Sequence, residues 1–311
     1  MISCTEFIPA YSELFTYIEY KDGRQAVDSF WKYLFKPDGK GIPLVNFVKR
    51  EGIKGCFTYW SGTLSEEAAD FTMYLNEKAG WFKIEMHRCP SKGRLLKLKD
   101  EIGIVPYRDY CLHCDSYRDS VSQVGLEYEY DFSRVDKASC SLFIYDPKIY
   151  NGNAEIDKDT VIMDRRASDN EYFHPDFHSS MNNGIHYVGE NYGISGVKEY
   201  LQRYANAVFA VDFLALKEKG LKGVEDKIVS IYAKEKALDA ISTKNDGKTL
   251  SVTINYCPAV KHLKATGREV SKWYRHVDEF IMPVLAKEIG ATFSFNRYDD
   301  ETGYANYTFT L

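Results

Sequence analysis

The chain has 311 residues, 44% hydrophobic, 27% charged and 15% aromatic, a folded globular composition with apolar material for one large or two mid-sized domains. Forty Lys and Arg against forty-five Asp and Glu give a net charge of −5, which excludes a general attraction to nucleic-acid backbones or anionic lipid. No apolar run reaches the roughly 18 residues of a membrane span and residues 1–20 lack a signal-peptide pattern, so a cytoplasmic location without nucleic-acid or membrane partners is expected.

In the first half, apolar residues at helical spacing predict helices over 25–34 and 44–50, and Thr63-Leu-Ser-Glu66 reads as a capping box opening a helix to about Glu77. Phe82, Ile84 and Met86 alternate with polar neighbours, which predicts a strand over 81–89 ended by Pro90. A helix over about 110–124 stops at Gly125, and strands over 126–132 and 139–145 close the half. The polar stretch 149–170, with Asn151-Gly152-Asn153, reads as a linker. The second half predicts helices near 175–190, 195–217 and 222–238, a strand over 249–257, a helix over 269–289 and strands over 291–297 and 304–311.

These halves match each other, and the match organises the chain. Both central strands end in Cys-Pro, at Cys89 and Cys257, 168 positions apart, and Gly52-Ile-Lys-Gly55 meets Gly220-Leu-Lys-Gly223 at the same offset. Tyr128 and Tyr130 meet Phe293 and Phe295 at 165, His113 and Asp115 meet His276 and Asp278 at 163, and Phe7-Ile-Pro-Ala-Tyr11 meets Phe173-His-Pro-Asp-Phe177 at 166. The expected class is α+β, with two tandem homologous units, 1–148 and 171–311, joined by 149–170. Each unit packs helices on a small antiparallel sheet, and the two pair about a pseudo-two-fold axis as an ancestral dimer would.

Seven cysteines, an odd number, argue for thiols, ligands or reactive groups rather than a disulfide framework. The densest polar cluster is Tyr110-Cys-Leu-His-Cys-Asp-Ser-Tyr-Arg118, where a helix would place Cys111, Cys114 and Asp115 on one face. Zinc needs four ligands and this Cys-x-x-Cys supplies two; Cys89 and Cys140 complete the set only if the strand ends converge on it. In half two, His174, His178, Asn182 and His186 recur every four residues from a helix start near His174, with Asp176 between the first two. Half one has Ile8, Ala10 and Ser12 in place of His174, Asp176 and His178, so the fold does not require these polar groups. They are candidates for acid/base or ligand-binding roles, and His174 with His178 for a divalent metal, because imidazoles one turn apart can share an ion. No Gly-rich phosphate loop, GxSxG or HExxH occurs.

The runs Tyr110-Cys-Leu-His-Cys-Asp115, Gly125-Leu-Glu-Tyr128 and Cys140-Ser-Leu-Phe-Ile144 resemble the pattern of the L-2-amino-thiazoline-4-carboxylic acid hydrolase family. More loosely they resemble small-molecule-binding domains of the 4-vinyl-reductase type. Half two is similar to a diverged copy that keeps Cys257, His276 and Asp278 but has Ala305 in place of Cys140. The first resemblance implies a hydrolase of small cyclic C–N substrates, in which water adds to the amidine-like carbon of a cyclic isothiourea and the ring opens to N-carbamoyl-cysteine. It implies Asp115 for the cationic amidine, Arg118 or Arg88 for the substrate carboxylate, and Cys89 or Cys114 with His113, or an activated water, as nucleophile. The alternative is a non-catalytic small-molecule-binding protein. The expected working site lies chiefly in half two, around His174, Asp176, His178 and His186 with Asn182, facing Cys257, His276 and Asp278; His113, Cys114 and Asp115 are the second choice.

Overall fold

The computed structural model describes residues 1–35 and 43–311. Among the described residues the fold is α+β, with eleven α-helices and two separate antiparallel sheets of five and four strands. The chain divides into two compact units: a four-stranded unit of Met1–Lys21, Ile102–Ile104 and Pro175–Leu311, and a five-stranded unit of Asp22–Glu101 and Val105–His174. Residues 1–21, expected to open the first unit, thus group with the later half of the chain. The reason is the apolar face of helix α1 (Phe7–Asp22), which buries Ile8, Leu14 and Ile18. Phe7 stacks on Phe177 at 4.4 Å between centroids, Tyr200 donates to the Ala10 carbonyl at 2.9 Å, and Arg203 meets Glu13 at 2.6 Å.

In the five-stranded unit, α2 (Arg24–Leu34), α3 (Leu44–Glu51) and α4 (Lys54–Glu66) precede β1 (Asp70–Asn76) and β2 (Trp81–Arg88). Helix α5 (Pro90–Ile102), a 3₁₀ segment Tyr110–Ser116 running into α6 (Tyr117–Ser122), then β3 (Glu127–Asp131), β4 (Cys140–Tyr145) and β5 (Val161–Arg165) complete it. The sheet order is β3-β4-β2-β1-β5. Trp60 of α4 stacks on Phe82 of β2 at 5.6 Å, in a core with Phe71, Met73 and Ile144.

Three expectations change here. Thr63-Leu-Ser-Glu66 ends α4 instead of opening a helix: Ala68 takes a left-handed φ of 54°, and Phe71, Met73 and Leu75 then alternate as strand β1. Pro90 does more than end a strand, since it is the first residue of α5, where a missing N–H costs nothing. The 149–170 stretch, read as a linker, supplies edge strand β5, with Leu75 opposite Val161 and Phe71 opposite Arg165.

The four-stranded unit continues from α1 into α7 (Phe177–Val208), α8 (Phe213–Lys219) and α9 (Leu221–Lys234). It then runs through β6 (Ile241–Asn245), β7 (Thr249–Ile254), α10 (Pro258–Ala265), α11 (His276–Glu288), β8 (Thr292–Asp299) and β9 (Tyr304–Thr310). Its sheet order is β6-β7-β9-β8. Helix α7 starts at Phe177, so His174 lies outside it, and Gly193 (φ 64°, ψ −168°) breaks it where the sequence predicts a gap between two helices.

The Gly-x-x-Gly pairs have a packing cause. Gly52 and Gly220 take positive φ between helices, while a Cβ on Gly55 would lie 2.4 Å from the Phe47 carbonyl carbon, where α4 crosses α3. Backbone cannot yield as a side-chain tip can. Gly55→Ala is therefore expected to destabilise by about 1–3 kcal/mol in a denaturant melt, whereas Gly62→Ala, with nothing within 4 Å, is expected to be neutral or better. Among the described residues no helix is long and apolar enough to cross a membrane.

Candidate functional site

A small cavity opens in the five-stranded unit, lined by Cys89, Lys92, Cys111, His113, Cys114 and Cys140 with Tyr110 and Tyr130. The strand ends do converge on the Cys-x-x-Cys. Met86 pairs with Cys140 across β2 and β4, and the Cys89 amide donates to the Ala138 carbonyl at 2.6 Å. The 3₁₀ segment brings Cys111, His113 and Cys114 against those ends, and Tyr128 holds it by donating to the Cys114 carbonyl at 3.0 Å. No disulfide joins any of the seven cysteines.

His113 has a defined proton arrangement. Its Nδ1 contacts the Tyr110 carbonyl, which can only accept, so Nδ1 carries the hydrogen and the neutral ring offers its Nε2 lone pair. That Nε2 lies 3.6 Å from Cys114 Sγ. Burial lowers the His113 pKa, against the opposing Tyr110 carbonyl and Glu67 charge, which favours the neutral base. Burial also keeps the thiols protonated at neutral pH: Cys111 and Cys114 are pushed up to about 12 and Cys140 to about 11, although the Tyr130 hydroxyl bonded to Cys114 and Cys140 counters it. A resting thiol beside a neutral imidazole is the starting state for proton transfer on attack.

Glu67, immediately after α4, was not singled out from sequence. Burial raises its carboxyl to about 7, against the opposing charges of His174 and His113. A helix C-terminus is an unfavourable place for a carboxylate, so this glutamate is not there to cap the helix. His174 Nδ1 contacts the neighbouring Glu66. Lys92, in the first turn of α5, was also missed; it lines the cavity, and its charge opposes the rise of the Cys111 pKa. The expected Asp115 and Arg118 pair with each other at 2.8 Å and are not among the lining residues, and Arg88 is exposed at the end of β2 beside Gly93.

The half-two candidates spread through a polar network of the four-stranded unit. His178 Nε2 lies 2.8 Å from Glu235 Oε2, both side chains being 2% exposed. Asp176 is clamped by Arg268 and meets His262 at 3.3 Å; Asn182 accepts from the Ser271 amide at 2.8 Å; His186 Nδ1 is 3.4 Å from Ser271 Oγ. His276 pairs with Glu279 at 2.5 Å, Asp278 with the amino group of Met1, and Cys257 is a buried thiol whose pKa is raised by that burial. Of the two histidines expected to share a metal, His174 contacts Glu66 and His178 faces Glu235. Among the described residues one group has three His, Cys, Asp or Glu donors within 4.8 Å of one another, Cys4, His178 and Glu235. The four-thiol cavity has no such closed set.

No family model, curated protein or solved structure matches the chain.

Proposed function

We propose that the cavity of the five-stranded unit is the active site of a thiol-dependent hydrolase that opens small cyclic C–N substrates of the 2-amino-thiazoline-4-carboxylate kind. The observation that carries this reading is the Cys114–His113 pair: a tautomer fixed by the Tyr110 carbonyl, with the basic nitrogen 3.6 Å from the sulfur on the wall of the cavity. As Cys114 attacks the amidine-like carbon, Nε2 of His113 takes the thiol proton, and Lys92 faces the substrate carboxylate. Formation of N-carbamoyl-cysteine keeps the ring nitrogen on that carbon, so the ring C–S bond breaks and the departing sulfur takes the proton from His113. Water then adds to the enzyme-bound carbon and expels Cys114, leaving the carbonyl of the product.

Glu67 acts through His113 as a positioning residue: once ionised it stabilises the imidazolium that forms during attack. The rate is therefore expected to rise with a limb near pH 7, and Glu67→Gln to remove that limb in a pH–rate profile. Because the folded-state pKa is raised, ionising Glu67 opposes folding. Its effect on stability is absent below the ordinary value of 4.5 and grows as pH rises to about 7, so the Gln variant should lose less stability across that window.

The direct test is incubation of the purified chain with 2-amino-thiazoline-4-carboxylate, followed by mass spectrometry for the water-added product. Saturable binding without product would favour the second reading, a binding pocket framed by Tyr110 and Tyr130.

The two units are read as copies of one ancestral fold. In support, β3-β4-β2-β1 and β8-β9-β7-β6 are the same strand order, and Ala68 and Lys236, 168 apart, both take left-handed φ just after Glu67 and Glu235. The helix starts Phe7 and Phe177 and the breaks Gly23 and Gly193 favour an offset of 170 at the beginning of each copy, in place of 166. The cavity chemistry then belongs to one copy, since the other has Ala305 opposite Ile254 where the first has Cys140 opposite Met86.

A further inference from the structure

We infer that Cys4, His178 and Glu235 form a zinc site in the four-stranded unit, apart from the thiol cavity. Thiolate, imidazole and carboxylate are the three ligand types zinc accepts together, and their donor atoms already lie within 4.8 Å of one another. Tetrahedral bonds of about 2.0–2.3 Å place ligand atoms roughly 3.3–3.8 Å apart, so rotamer adjustments of about an ångström close the set.

Burial is what separates this group from a surface cluster. Cys4 is 1% exposed, and the His178 and Glu235 side chains are each 2% exposed. Glu235 follows α9 directly, where the helix end disfavours a negative charge, so a cation there has a carboxylate to meet. The Cys4 amide donates to Glu235 Oε1 at 2.6 Å, which leaves Oε2, now 2.8 Å from His178 Nε2, to ligate while Oε1 keeps its outer contact. Binding releases the Cys4 thiol proton and takes His178 neutral; the two negative ligands then balance the dication, and water completes the fourth position. The ion would fasten the segment before α1 to α7 and α9.

The test loads the metal-free full chain with one equivalent of zinc and reads the zinc X-ray absorption fine structure. One sulfur at about 2.3 Å with nitrogen and oxygen at about 2.0–2.1 Å is expected. An all-sulfur shell, which would place the ion in the thiol cavity, or a shell without sulfur, overturns the proposal, as does failure to retain zinc through dialysis. Cys4→Ser, nearly isosteric, is expected to weaken zinc binding beyond the about 10- to 100-fold that outer-shell changes cost, while Cys111→Ser leaves it unchanged. Undiminished zinc in Cys4→Ser also overturns it. If that variant melts early, the spectrum of the unaltered chain decides alone. Ring-opening activity enters neither readout, so the site and the hydrolase proposal fail separately.

Discussion

Cys114→Ser is expected to lower ring opening of 2-amino-thiazoline-4-carboxylate by on the order of 10³-fold or more while leaving the protein folded. A hydroxyl cannot replace the sulfur as a nucleophile here, because its proton is far harder to remove and the imidazole it faces is held neutral by burial. Serine can keep the contact to Tyr130, and the position is only partly buried, so the change in stability should be small. Cys140→Ser distinguishes the assigned nucleophile from a merely thiol-rich wall: Cys140 lines the same space and also bonds Tyr130, but His113 is set against Cys114. Initial rates should therefore fall steeply for the first variant and by less than about tenfold for the second. Equal losses, or an active Cys114→Ser protein, would remove the thiol mechanism.

The sequence carried the cysteine convergence only as a condition. Cys89 and Cys140 sit at strand ends whose register, Met86 opposite Cys140, is a tertiary fact that alternation in 81–89 and 139–145 cannot fix. His113 was legible as a candidate but not its tautomer, which depends on the Tyr110 carbonyl three residues back along a 3₁₀ turn that reads as ordinary helix in sequence. Glu67 and Glu235 had a signal that went unused: they lie 168 residues apart in sequence, the offset already given by the Gly-x-x-Gly and Cys-Pro pairs. Strand β1 was lost because Thr63-Leu-Ser-Glu66 reads as the start of a helix that would run across it, and β5 and β6 because each has five residues flanked by charge, too few for alternation to stand out. The imidazole stripe is legible only in part: four-residue spacing assigns a common face only within one helix, so it holds for His178, Asn182 and His186 of α7 and not for His174, which precedes the helix.

His178→Ala is expected to destabilise the four-stranded unit by about 3–5 kcal/mol, measured by denaturant unfolding with a chelator present. A solvated histidine on an exposed stripe would cost almost nothing to remove, but this side chain and Glu235 are both 2% exposed and 2.8 Å apart. Its loss leaves a buried carboxylate without its imidazole partner. Burial alone would push Glu235 up; the hydrogen bond and charge of His178, with Ser3 and the Cys4 amide, outweigh it and hold the carboxyl below its ordinary value. A depressed folded-state pKa contributes stability that is present above the unfolded value of 4.5 and is lost as pH falls through the folded one. In the variant that contribution shrinks or reverses, because Glu235 without its partner is better accommodated protonated. The gap in stability between the two proteins should thus be widest near pH 7 and narrow below about pH 4.5, and Glu235→Gln combined with His178→Ala should recover part of the loss, since it removes the buried charge along with the group that balanced it.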